Sequence, residues 1–119
     1  MQNPLQITIH NVDQSEALEA HIRAKAEKLD EFFQHIQSCR VVVEMHDRHH
    51  HQGRQFTVRI DLRVPPSHEI VVDRNHHEDV YVALRDAFDA AKRQLEEYAR
   101  VLRGDVKTHA PKRTTPDVP

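Results

Sequence analysis

The sequence predicts an α+β domain: a two-layer β-α-β-β-β-α sandwich, with a four-stranded sheet and both helices on one face. Two long segments repeat their apolar residues every three or four positions, as one stripe of an α-helix requires. Four shorter segments alternate apolar and polar residues with period two, so each strand has one buried and one wet face. The segments come in the order strand, helix, three strands, helix. Two amphipathic helices then cover one face of the sheet and leave the other exposed.

The elements follow in turn. Leu5, Ile7 and Ile9 alternate with Gln6, Thr8 and His10 and predict a short first strand. The chain turns at 11–13. Asp13 has capping-box spacing to Glu16, and Leu18, Ile22, Ala26, Leu29 and Phe33 follow at helical intervals, so a helix is expected over 14–33. Val41, Val43 and Met45 alternate with Arg40, Val42 and Glu44 in a second strand that ends in a polar connection over 47–54. Phe56, Val58, Ile60, Leu62 and Val64 alternate with Thr57, Arg59, Asp61 and Arg63, the strongest period-two pattern in the chain. Pro65 and Pro66 break that strand, and His68, Ile70 and Val72 predict a last one returning antiparallel. Residues 75–78 lead into a second helix over 79–103, whose expected core stripe is Tyr81, Leu84, Phe88, Ala91, Leu95, Tyr98 and Leu102. Beyond it the apolar periodicity stops, and Pro111, Pro116 and Pro119 stand among Lys107, Lys112 and Arg113. Residues 104–119 are read as a disordered tail.

Composition limits the function. A chain of 119 residues with 38% hydrophobic content is enough for one core, so one domain is expected over 1–103. No apolar run is long enough to span a bilayer and the first residues lack a signal-peptide pattern, so a cytoplasmic protein with no membrane partner is expected. Cys39 is the single cysteine; it precedes an apolar run and is expected to be buried and inert. The formal charge of −2 gives no net attraction to nucleic acid, although eleven histidines add positive charge as pH falls toward about 6. Gly53 and Gly104 are the only glycines, so there is no phosphate-cradling loop, and no nucleophile stands with a recognisable base. The chain reads as a non-enzyme without cofactor or small-molecule substrate. His46, His49, His50 and His51 lie close in sequence, but no cysteine or ordered carboxylate set accompanies them, and adjacent histidines in a strand connection cannot all face one ion. No metal site is expected.

Two groups of residues carry a resemblance. The first helix holds Ala24-Lys25-Ala26-Glu27-Lys28-Leu29 and then Phe32-Phe33; the second opens with Glu78-Asp79-Val80-Tyr81 and continues to Arg93-Gln94-Leu95. In this order and spacing the chain resembles the ribosome hibernation promoting factor and ribosome-associated inhibitor family, also called sigma-54 modulation proteins, in a short form. The likeness covers about residues 5–103. It implies a β-α-β-β-β-α domain that binds the small ribosomal subunit where messenger and transfer RNA would sit, silencing translation under stress or in stationary phase. One departure is Ala90, where relatives often carry a lysine.

If ribosomal RNA is the partner, its phosphates need basic side chains presented together. At 100° per residue, His21, Lys25 and Lys28 fall on one edge of the first helix, and Arg23 is a further basic group there. On the second helix Arg85, Lys92 and Arg103 share an edge, with Arg93 and Arg100 further round, and His76 and His77 precede it. These eleven residues are the RNA-binding candidates. The plainer alternative is a solvated, self-paired helix, because Arg85/Asp89, Asp89/Arg93, Lys92/Glu96 and Glu96/Arg100 all have i,i+4 spacing. Two further functions remain open: a general structured-RNA-binding module, or an interaction module that self-associates weakly through its exposed sheet face or long helix.

Overall fold

The computed structural model describes residues 1–12, 15–48 and 53–104. The order is β1 (Gln6–His10), α1 (Glu16–Phe32), β2 (Ser38–Arg48), β3 (Gly53–Val64), β4 (His68–His77) and α2 (Val80–Arg103). The strands form one sheet in the order β1-β2-β3-β4, with β1 parallel to β2 and the other pairs antiparallel. This is the predicted α+β architecture.

Register explains the core. Ile7 pairs with Val41, Val41 with Ile60 and Ile60 with Val72, so one apolar row crosses all four strands on the inner face. The neighbouring row, Gln6, Arg40, Asp61 and Val71, faces the other way. Leu18, Ile22, Ala26 and Leu29 of α1 and Leu84, Phe88, Ala91 and Leu95 of α2 join the inner rows in a single buried cluster. α2 packs over β3 and β4 and meets α1 along its flank.

Several boundaries differ from expectation. α1 begins after Ser15, whose hydroxyl accepts from the Leu18 backbone N–H at 3.2 Å. Ser15 is therefore the cap that was assigned to Asp13, a residue outside the described ones; a short hydroxyl at this position reaches the third N–H of the helix. β2 and β3 run further into the connection expected over 47–54, because their pairing continues to Arg48 opposite Gly53. β4 likewise continues past Val72, crossing a register shift between Val58 and Ile60 that lets His76 and His77 pair with Thr57 and Phe56. Of the histidine cluster, His46 is described and His49, His50 and His51 are not; the tail beyond Gly104 also lies outside the described residues.

α2 starts and stops on local chemistry. The Asp79 carboxylate accepts from the Tyr81 N–H at 2.8 Å, and Gly104 closes the other end with φ 82°, a left-handed value that suits glycine. Its core stripe is shorter and broader than the periodicity implies. Tyr81 is 42% exposed and Leu102 57% exposed, whereas Ala83 and Ala87 are buried. The buried stripe follows where the sheet lies, and at both ends the helix runs past its cover. Tyr98 keeps a packing role: half-buried, it stacks on His68 at 4.6 Å, and its hydroxyl donates to the Pro65 carbonyl.

Cys39 is buried, and burial first, then the nearby charges of Asp30 and Asp61, pushes its thiol up to about 12. We expect the thiol to resist an aromatic disulfide reagent in the folded chain at pH 8 and to react at once in denaturant; fast native labelling would contradict this burial. At the centre of the roof, Leu84→Ala is expected to cost about 2–5 kcal/mol by urea unfolding.

Candidate nucleic-acid interface

The two helices lie side by side and parallel, and their seam is open to solvent. At one end the rings of His21 and Tyr81 meet edge to face, 4.8 Å between centroids and 89° between planes. At the other, the Lys92 ammonium sits over the Phe32 ring, 4.9 Å from its centroid. Between them runs a groove of about 190 Å³ lined by Lys25, Lys28, Leu29, Phe32, Phe88, Asp89 and Lys92.

This lining follows from helical geometry. Each helix turns its stripe to the sheet, so the residues on the stripe's flank meet the other helix. On α1 that flank carries Lys25 and Lys28; on α2 it carries Lys92, with Arg85 two turns earlier. Lys25, Lys28 and Lys92 join no ion pair among the described residues. The i,i+4 lacing expected of a solvated helix is not formed among the described residues; on α2 the ion pairs are Arg85 with Asp86 at 3.1 Å and Arg100 with Glu97 at 3.4 Å. Asp89 is the carboxylate in the lining, against three ammonium groups.

The structure gathers some of the sequence candidates and disperses others. Lys25, Lys28 and Lys92 share the groove, with His21 at its end, while Arg85 is not part of its lining and pairs with Asp86. Arg23 lies on the opposite flank of α1, in a cavity with Met1, Glu27 and Asp30. Arg93 lines a larger cavity of about 690 Å³ on the far side of α2, beside His68 and Tyr98. Arg100 is ion-paired, and Arg103 ends the helix, where a cation favours the C-terminal dipole. His76 and His77 precede α2, and the His77 Nδ1 accepts from the Asp79 N–H at 2.9 Å, bracing the turn into the helix.

Two groove residues were missed by charge and periodicity. Phe32 is 44% exposed, and Tyr81 was assigned to the core. A signal for Phe32 was present: adjacent helical residues point 100° apart, so of Phe32 and Phe33 only one faces the core, and that one is Phe33. His21 shares the basic flank without its charge. Its Nε2 is buried with no hydrogen-bond partner, and burial first, then Lys25, lowers its pKa from the ordinary 6.5.

The outer sheet face contrasts with this seam. Arg59 pairs with Asp61 at 3.1 Å and Asp73 at 3.7 Å, and Arg63 with Glu69 at 3.1 Å. The charges of Arg59 and Arg63 are locally cancelled there, although Arg40 on the same face joins no ion pair among the described residues.

Comparison with known proteins places this geometry. A family model described as "Sigma 54 modulation protein / S30EA ribosomal protein" matches residues 5–103. A ribosome hibernation promotion factor of Deinococcus radiodurans is 29% identical over 93 residues, which span 78% of this chain and 47% of that protein. The chain thus spans about half the length of this curated relative. Among solved structures, a ribosomal subunit interface protein from Coxiella burnetii superposes with a TM-score of 0.67 at 19% identity, covering 80% of this chain and 96% of the other. The Thermus thermophilus Protein Y N-terminal domain gives 0.65 at 19% identity, covering 79% and 97%. These two likenesses are of fold.

The neutral state of His21 is measurable. Its imidazole resonance is expected to titrate with a midpoint below 6.5. Because the unfolded chain takes up this proton more readily than the folded one, the His21 contribution to stability is complete above pH 6.5 and declines as pH falls below it. His21→Phe, which keeps a ring against Tyr81, is expected to reduce the loss of thermal stability between pH 7 and about 5.5. A midpoint above 6.5 would contradict the buried Nε2.

Proposed function

The chain belongs to the sigma 54 modulation protein / S30EA ribosomal protein family, and from that premise we propose that it is a ribosome-associated translation inhibitor, a hibernation factor. The family is one of ribosome modulation factors, not of enzymes. In this reading residues 1–103 are a cytoplasmic ribosome-binding domain. It binds the small ribosomal subunit in the decoding channel and, under stress or in stationary phase, blocks messenger and transfer RNA by occupying their place.

The observation that carries the reading is the convergence of Lys25, Lys28 and Lys92, free of ion pairs, on one groove. Ammonium groups held on two packed helices neutralise backbone phosphates without reading bases, as suits an RNA recognised by shape. The inhibition is steric and needs no reacting group. The relative named as a hibernation promotion factor supports the ribosome as partner. Self-association through the sheet has less to support it: among the described residues Val71 is the exposed large hydrophobic on an outer face that also carries Arg40 and the ion-paired Arg59 and Arg63.

Charge reversal tests the groove. Lys25→Glu, Lys28→Glu and Lys92→Glu together are expected to weaken co-sedimentation with small subunits by about 100-fold at moderate salt. They are also expected to reduce the slope of log affinity against log salt by about 2. Arg23→Glu, on the opposite flank, is expected to change affinity by less than about twofold. Unchanged binding by the triple variant would remove the phosphate-contact role. Equal affinity of the parent chain for small subunits and for generic duplex RNA would instead make it a general structured-RNA-binding module.

A further inference from the structure

The groove holds more than phosphate-binding groups. Phe32 offers a partly open ring at its end, 44% exposed, although nothing in the packing of the core requires that residue to be aromatic. The ring is covered by the Lys92 ammonium alone among the described cations, a contact between two exposed side chains. Lys25 and Lys28 stand on the same flank of α1, two turns and one turn before Phe32. An aromatic face with ammonium groups alongside it is the arrangement that takes a nucleotide by stacking its base and holding its phosphates.

We propose that the α1–α2 groove binds one unpaired RNA nucleotide, its base stacked on Phe32 and its flanking phosphates held by Lys25, Lys28 and Lys92. The inference rests on the reading of the groove as an RNA interface and adds what that reading lacks, a preference for an unpaired position over a continuous helix. A duplex keeps its base faces inside the stack, so only a bulged or loop nucleotide has a face to offer. The groove, about 190 Å³, is of a size to take one ring system. A base–aromatic stack is stronger than an exposed cation–π contact, so a base displaces Lys92 from the ring, and the released ammonium is then placed to meet a phosphate. Phe88 and Leu29 form the apolar floor and are largely buried in the core, so neither competes for the base.

The chain contains no tryptophan, so Phe32→Trp installs a single fluorophore at the stacking position. The full chain would be titrated with an RNA hairpin that is fully paired and with the same hairpin carrying one bulged adenosine, with small-subunit co-sedimentation run in parallel. The parent chain is expected to bind the bulged hairpin about tenfold more tightly than the paired one, and the bulged hairpin is expected to quench the Phe32→Trp emission. Phe32→Leu, which keeps apolar volume without a π face, is expected to bind both hairpins equally, at the affinity of the parent for the paired one. Equal binding of the two hairpins by the parent chain would overturn the inference, as would a preference that survives in Phe32→Leu. If the parent chain sediments with small subunits in that case, the inference falls alone. If it does not sediment with them, the ribosomal reading falls and takes the inference with it.

Discussion

A sheet that is apolar on one face and charged on the other must be roofed, and here two parallel helices share the task. Each helix gives its apolar stripe to the sheet, which leaves the flank of the stripe to meet its neighbour. Lys25 and Lys28 face Lys92 across that seam, with Phe32 at one end and the His21–Tyr81 contact at the other. Lysine suits such a position, because its stem covers hydrophobic surface while its head stays in water. The candidate interface is therefore a by-product of the way the core is closed. Moving one helix against the other would disturb both together.

Much of the fold was legible because its causes are local and periodic. The alternation from Phe56 to Val64 fixed which face of β3 is buried, and the register carried the same choice to Val41 and Val72. Where the expectation failed, the deciding cause lay beyond the local pattern. Tyr81 and Leu102 keep the helical period of the stripe, yet both are exposed, since the period says nothing of where the sheet ends beneath the helix. Capping-box spacing pointed to Asp13 with Glu16, yet the cap is Ser15, which has Leu18 three residues on, so spacing alone picked the wrong residue.

The site was less legible than the fold for the same reason. A helical wheel grouped Lys25 with Lys28, which share the groove, and Arg85 with Lys92 and Arg103, of which Lys92 lines it; the wheel cannot say which flank of one helix meets which flank of another. Only the packing sets Lys92 against Phe32 and sends Arg93 to the cavity beside Tyr98. His21 shows the limit of reading charge from residue type. It lies on the basic flank, yet burial first, and then Lys25, favour its neutral form.

A chain of formal charge −2 is a poor polyanion binder only if its charges act as an average. At physiological salt the Debye length is about 8 Å, so a phosphate at the groove responds mainly to the groups nearest it. On the outer sheet face each of the ion-paired arginines has a carboxylate within 4.0 Å, and the field of one largely cancels that of the other. In the groove three ammonium groups face Asp89 alone, so the local sign is positive although the global sign is not. Glu31 and Glu96 stand within about one turn of Lys28 and Lys92 and offset part of that field, while the negative total keeps generic attraction to nucleic acid low. That suits the proposed role at one site on a large RNA surface, where binding depends on groove and target fitting together rather than on charge alone.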